Sequence, residues 1–265
     1  MKKYKFYIAA LLLSITAWSC RKVIDLKLGH ETGKLVIEAN VTNKPGQQFI
    51  RLSQNVPFTN TNTYPPVSGA TVTVTDNNGN NFPFIEGPAG SYYNNSFVAT
   101  AGNTYAMNVL TNGITYTANS LMPATVHLDS LTFKKNAFKS TSDLREITVH
   151  YQDPPNVANQ YRFIMTVNSV QVKDVFALND AFSDGRHVDF DLVETNTDIH
   201  PNDTVTVEMQ CIDKPIYTYW FTLMQQSFNN PGGEVAPANP PTNITPVCLG
   251  YFSAHTTQRE TIIVK

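Results

Sequence analysis

Apolar and polar residues alternate along most of this chain. ATVTVTD (70–76) alternates strictly, with Val72 and Val74 on one side and Thr71, Thr73 and Thr75 on the other. That is the period of a half-buried strand. LVIEANVT (35–42), QFIRLSQ (48–54) and Phe82–Glu86 also read as strands. Asn43-Lys44-Pro45-Gly46 and Asn77-Asn78-Gly79-Asn80 supply turns between them. In TYAMNVLTNGITYTANS, Asn112-Gly113 separates two alternating runs. This is a strong hairpin signal, because both residues tolerate positive φ. Strand signals recurring at roughly 8–12 residues predict a β-sandwich. The pattern places a first, immunoglobulin-like module over residues 33–123.

A second set of strands begins at VHLDSLTFKK (126–135) and continues through LREITVHYQD, NQYRFIMTVNS, VQVKDVFALND, HVDFDLVET and DTVTVEMQCID. One segment departs from period 2. From Pro215 to Phe228 the apolar residues Ile216, Tyr219, Trp220, Leu223 and Met224 follow a spacing of three and four. Asp213 suits its N-cap and Pro215 its first turn. The expected helix covers about 214–228 and ends at Asn229-Asn230-Pro231-Gly232-Gly233. VCLGYFSAH (247–255) and ETIIVK (260–265) read as two closing strands. The predicted fold is mainly β, two β-sandwich-like (immunoglobulin-like) modules, with the second, residues 124–265, carrying one α-helix.

The first residues follow another logic. Lys2, Lys3 and Lys5 precede an apolar run, FYIAALLLSITA, of about a dozen residues. A helix needs roughly 20 to span a bilayer, so the run reads as a secretory signal. Ala17-Trp18-Ser19-Cys20 then resembles a lipobox, in which Cys20 becomes lipidated. Residues 1–19 are the expected lipoprotein signal peptide and 20–32 a tether. If Cys20 carries lipid, Cys211 and Cys248 are left as a disulfide candidate in an oxidising compartment.

Composition sharpens the compartment. The 30 Thr and 26 Asn outnumber all charged residues, which make up 15% of the chain. Soluble domains average about 25% charged. Thr suits pleated surfaces and Asn suits turns, so this is the surface of an exported β protein. With 42% hydrophobic residues the chain is not disordered. Removing residues 1–19 leaves 16 basic against 21 acidic residues, net charge −5. A basic nucleic-acid binder is excluded, and no polybasic patch is present to hold anionic lipid.

The chain has no Gly-x-Ser-x-Gly, His-Glu-x-x-His, Walker loop or dinucleotide fingerprint. No cofactor is called for and no catalytic residue stands out, so a non-enzymatic role is expected. His187, Asp189 and Asp191 share one face of a strand and form a weak metal candidate beside the simpler reading of a solvated face. Ten acids lie between 174 and 213 against Arg186 alone, as a solvated acidic face or a surface for a basic partner. Phe58, Tyr64, Tyr92 and Tyr93, in or beside loops, are the ligand-binding candidates for a glycan or peptide. Trp220 reads as core.

Several blocks in order carry a resemblance: CRKVIDL, KLVIEANVTNKPGQQFIRLSQNVPF, YPPVSGATVTVTD, YQDPPNVANQYRF, ALNDAFSDGRHVDFDL, IYTYWFTLMQQ and PPTNITPVCLGYFSAH. The series resembles the Bacteroidota lipoprotein family called "domain of unknown function 4249". The resemblance implies a cell-envelope lipoprotein, often encoded beside TonB-dependent outer-membrane transporters, and no established activity. The expected role is an outer-membrane accessory partner of such a transporter in nutrient uptake; the alternatives are a glycan- or peptide-binding module and, more remotely, an enzyme. Surface-displayed lipoproteins of that phylum often carry acids after the lipidated cysteine, whereas Arg21 and Lys22 stand here, which leaves the membrane face open.

Overall fold

LVIEANVT folds as β1 (Leu35–Thr42), and its alternation buries Ile37, Ala39 and Val41. The computed structural model describes residues 32–46, 48–57, 63–136, 143–227 and 239–265. Cys20, the signal segment, the tether up to residue 31 and Phe58 lie outside the described residues. β2 (Phe49–Gln54), β3 (Thr71–Asp76), β4 (Asn81–Glu86) and β5 (Ser91–Tyr93) follow, then the hairpin of β6 (Thr104–Thr111) and β7 (Ile114–Leu121). Asn112 and Gly113 turn this hairpin at φ 49° and 74°. That is the doubly positive pair a two-residue turn requires.

The second set is β8 (Leu128–Lys135), β9 (Arg145–Gln152), β10 (Gln160–Val167), β11 (Val170–Gln171), β12 (Phe176–Asn179), β13 (His187–Leu192) and β14 (Thr204–Cys211). The helix α1 (Lys214–Ser227) precedes the last strand, β15 (Leu249–Ile263). Among the described residues, one sheet runs β11-β10-β14-β15-β1-β2-β5-β4-β3-β6-β7, with β12 also on β10. The other sheet is β13-β9-β8. β1 and β15 pair in parallel. No helix among the described residues is long and apolar enough to cross a membrane.

Among the described residues there are two large hydrophobic cores and a small third one, around Ile212, Ile216 and Tyr251. The first joins Ile37, Leu52, Val74, Met107 and Tyr105. The second lies between the small sheet (Leu128, Val149, Tyr151) and the far end of the large one (Phe163, Val207, Met209). Strands from β1–β7 line the first core and strands from β8–β14 the second, while β15 reaches both. Ile244, Phe252 and Ala254, expected in the second module, pack into the first core, while Val264 packs into the second. The polar run Thr256-Thr257-Gln258-Arg259 looks like a gap between two strands, yet it is the middle of one. Thr32–Lys265 accordingly forms a single compact unit.

Asp213 anchors the helix as its N-cap. Its Oδ1 accepts from the Ile216 N–H at 3.2 Å, and its Oδ2 accepts from Ser120 Oγ at 2.8 Å and the Leu121 N–H at 3.1 Å. One carboxylate thus satisfies the helix start and ties it to β7. Asp213→Ala is expected to destabilise the protein by about 2 kcal/mol, the upper end of cap deletions. Urea unfolding of the two proteins measures it. A loss near zero would show that the link to β7 contributes nothing.

Candidate functional site

The alternation that turns Phe163, Val207 and Phe252 inward turns Arg162, Glu208, Gln210, Tyr251, His255 and Arg259 to the opposite face of the large sheet. These side chains line a groove of about 950 Å³. Two of the lining residues also meet helix α1: Ile216 and the half-buried Tyr219 and Trp220 pack against Tyr251. The Arg162 guanidinium sits over the Trp220 ring, 3.4 Å from its centroid. Trp220 is therefore packed, as its place on the apolar face of the helix implies.

A polar chain crosses the floor of the groove. Glu208 Oε2 accepts from Arg259 Nε at 2.7 Å and Nη2 at 2.6 Å. Gln210 Nε2 donates to Glu208 Oε1 at 2.7 Å, and Arg162 Nη1 donates to Gln210 Oε1 at 3.3 Å. Burial pushes the Glu208 carboxyl up, but the hydrogen bonds from Gln210 and Arg259 outweigh it and hold it below the usual carboxylate range. His255 is only 2% exposed, with Nδ1 2.9 Å from Ser253 Oγ. Burial pulls its pKa down to about 4, so it is neutral at pH 7. On the β1 side, Asn40 Nδ2 donates to the Tyr251 hydroxyl at 3.3 Å. The result is a fixed array of donors and acceptors. It can orient a polar ligand, but its base is weak and its carboxylate is already paired.

The residues singled out from sequence fare differently. Tyr92, a ligand-binding candidate, is 1% exposed and belongs to the first core, so that assignment is corrected. Its hydroxyl donates to the Val67 carbonyl and accepts from the Ala70 N–H. Tyr93, its neighbour on β5, points out at 39% exposure and lines a separate hollow of about 630 Å³. Tyr64 is 53% exposed. Phe58 lies outside the described residues.

The disulfide candidate is also corrected. Cys211 and Cys248 are free thiols. Cys211, at the end of β14, sits in the second core, and Cys248, just ahead of β15, packs against the first, so the two thiols lie in different interiors. Burial raises both thiol pKa values, that of Cys248 to about 12. Such thiols stay protonated and unreactive.

The metal trio is split. Asp191 hydrogen-bonds Lys134 Nζ and accepts from Thr148 Oγ1 at 2.6 Å. His187 and Asp189 instead meet His150 of β9, which the sequence reading did not include. The acids of 174–213 do not form one face. Glu208 lies in the groove, Asp213 caps α1, and Asp203 accepts from the His200 N–H in a turn. Arg162, His255 and Arg259 also escaped notice, because a single polar residue on a strand looks the same whether it meets solvent or a groove.

Fold and groove together define a mainly β protein of two sandwich-like halves that share one long strand and present a ligand-sized polar groove. The chain belongs to the family described as Domain of unknown function (DUF4249), which it matches over residues 21–261. Comparison with curated proteins finds no match.

Proposed function

We propose that this is a non-catalytic, lipid-anchored outer-membrane protein that assists a TonB-dependent transporter by holding a polar nutrient in the groove on the large sheet. The groove carries the reading. At about 950 Å³ it falls within the range of about 300–1,000 Å³ typical of small-molecule sites. Its floor offers charged and amide groups already held in place, which favours binding by limiting the ordering cost. The lipobox-like Ala17-Trp18-Ser19-Cys20 supports the anchor. The non-catalytic part rests on His255, whose pKa of about 4 makes it a poor base at neutral pH, and on Glu208, already paired with Arg259.

A second reading is a glycan- or peptide-binding surface module that needs no transporter. The exposed rings of Tyr64 and Tyr93 favour it. Affinity purification from membranes in native detergent separates the two. Co-purification of an outer-membrane barrel is expected, and Cys20→Ala should move the protein to the soluble fraction. Recovery of no barrel would sink the transporter role, and a Cys20→Ala protein that stays with the membrane would sink the anchor.

A further inference from the structure

The face of β13-β9-β8 turned away from the second core carries a separate cluster. Cross-strand register sets Asp189 opposite His150, and His187 lies two residues from Asp189 on the same face. Asp189 Oδ1 is 2.5 Å from His150 Nδ1 and 3.1 Å from His187 Nε2. The two imidazole rings stand 6.1 Å apart and within 16° of parallel. One ligand atom from each of the three residues lies within 4.8 Å of the other two.

We propose that His150, His187 and Asp189 bind a divalent first-row transition-metal ion of the zinc type, through His150 Nδ1, His187 Nε2 and a carboxylate oxygen of Asp189. Two imidazoles and one carboxylate suit such ions, whereas calcium and magnesium take oxygen ligands. Ligand atoms around tetrahedral zinc stand about 3.3 Å apart, so small side-chain rotations bring this set into place. His150 is already oriented. Its side chain is 18% exposed, and its Nε2 lies 2.6 Å from Thr132 Oγ1. With metal on Nδ1, the Nε2–H donates to that hydroxyl, the outer partner that ligating histidines ordinarily have. His187 and Asp189 are exposed enough to adjust and to leave the remaining coordination positions facing solvent. Asp191 takes no part, because Lys134 and Thr148 hold it.

The site is independent of the groove and of the role proposed for it. Calorimetric titration of the tag-free full-length protein with Zn²⁺, together with Co²⁺ absorption, tests it. One equivalent of Zn²⁺ should bind, and Co²⁺ should give a visible spectrum with imidazole ligation. His187→Gln and Asp189→Asn, both at exposed positions, should each weaken binding by more than about a hundredfold, beyond the roughly 10–100-fold that loss of an outer partner typically causes. Asp191→Asn should leave it unchanged. Absence of zinc binding, binding unaffected by His187→Gln, or an equal loss in Asp191→Asn would each overturn the assignment.

Discussion

Gly250→Ala is expected to destabilise the protein by about 4 kcal/mol or more, in the range reserved for disrupted cores. Gly250 has φ +97°, and a Cβ there would fall 2.0 Å from the Ile37 carbonyl oxygen and 2.7 Å from its carbon. Both atoms are backbone of β1, so no side chain can swing aside. β15 would have to part from β1 at the Ile37–Gly250 pair, and Phe252 and Ala254 would leave the first core with it. For a protein of this size about 2–4 °C of Tm follows each kcal/mol, so a drop of about 8 °C or more should appear by circular dichroism. Gly113→Ala is the reference. Gly113 also has positive φ, +74°, but nothing lies within 4 Å of its added Cβ, so only about 1 kcal/mol is at stake. Equal losses in the two variants would mean that the close approach of β15 to β1 is not what demands glycine.

The second large effect is a dependence on pH set by His255. In the unfolded chain this histidine takes up a proton near pH 6.5; in the fold it does so only at about 4. Between those values the unfolded state binds more protons, so stability falls as pH falls. The fall is about 1.4 kcal/mol per pH unit, or about 3 kcal/mol from pH 7 to pH 4, and it levels off below the folded value. Glu208 of β14 faces His255 and favours its protonation, while Arg162 of β10 opposes it. His255→Gln keeps a neutral polar side chain in the groove. Urea unfolding at pH 7 and pH 4 should show the wild-type protein losing about 3 kcal/mol more than this variant. The difference between the two removes contributions from carboxylates that titrate in the same range. A wild-type slope matched by His255→Gln would contradict the neutral, buried histidine.

What could be read from the sequence depended on whether a signal was local. The hairpin at Asn112-Gly113 and the cap at Asp213 are local, and both appear where the residues place them. The strand at 71–76 announces its buried face through Val72 and Val74. Tyr92-Tyr93 gave no such clue. Two like residues on adjacent positions must face opposite ways, but only the packing says which one is inside. His187 and Asp189 could be set on one face by period 2, whereas His150 joins them through a register that no linear spacing encodes. The groove was hidden for a similar reason. Its floor residues come from β10, β14 and β15, and each is an ordinary polar position within its own strand. β15 itself was divided because its middle, Thr256 to Arg259, is polar on both faces. One of those faces lies in the groove and the other near the second core, where Gln258 Nε2 donates to the Val126 carbonyl.

That shared strand also bears on how the chain acquires its fold. Neither interior can close without β15: the first awaits Phe252 and Ala254, and the second awaits the segment ending in Val264. Its partner β1 lies more than 200 residues earlier. Such distant pairing closes a long loop before any contact rewards it, and this slows folding. A chain emerging from its N-terminal end cannot finish one half and then the other. Both halves stay open until nearly the whole polypeptide has arrived, and then they lock together. Until then the open strand edges and apolar faces of both halves need shielding, because no early-folding portion can shelter the rest.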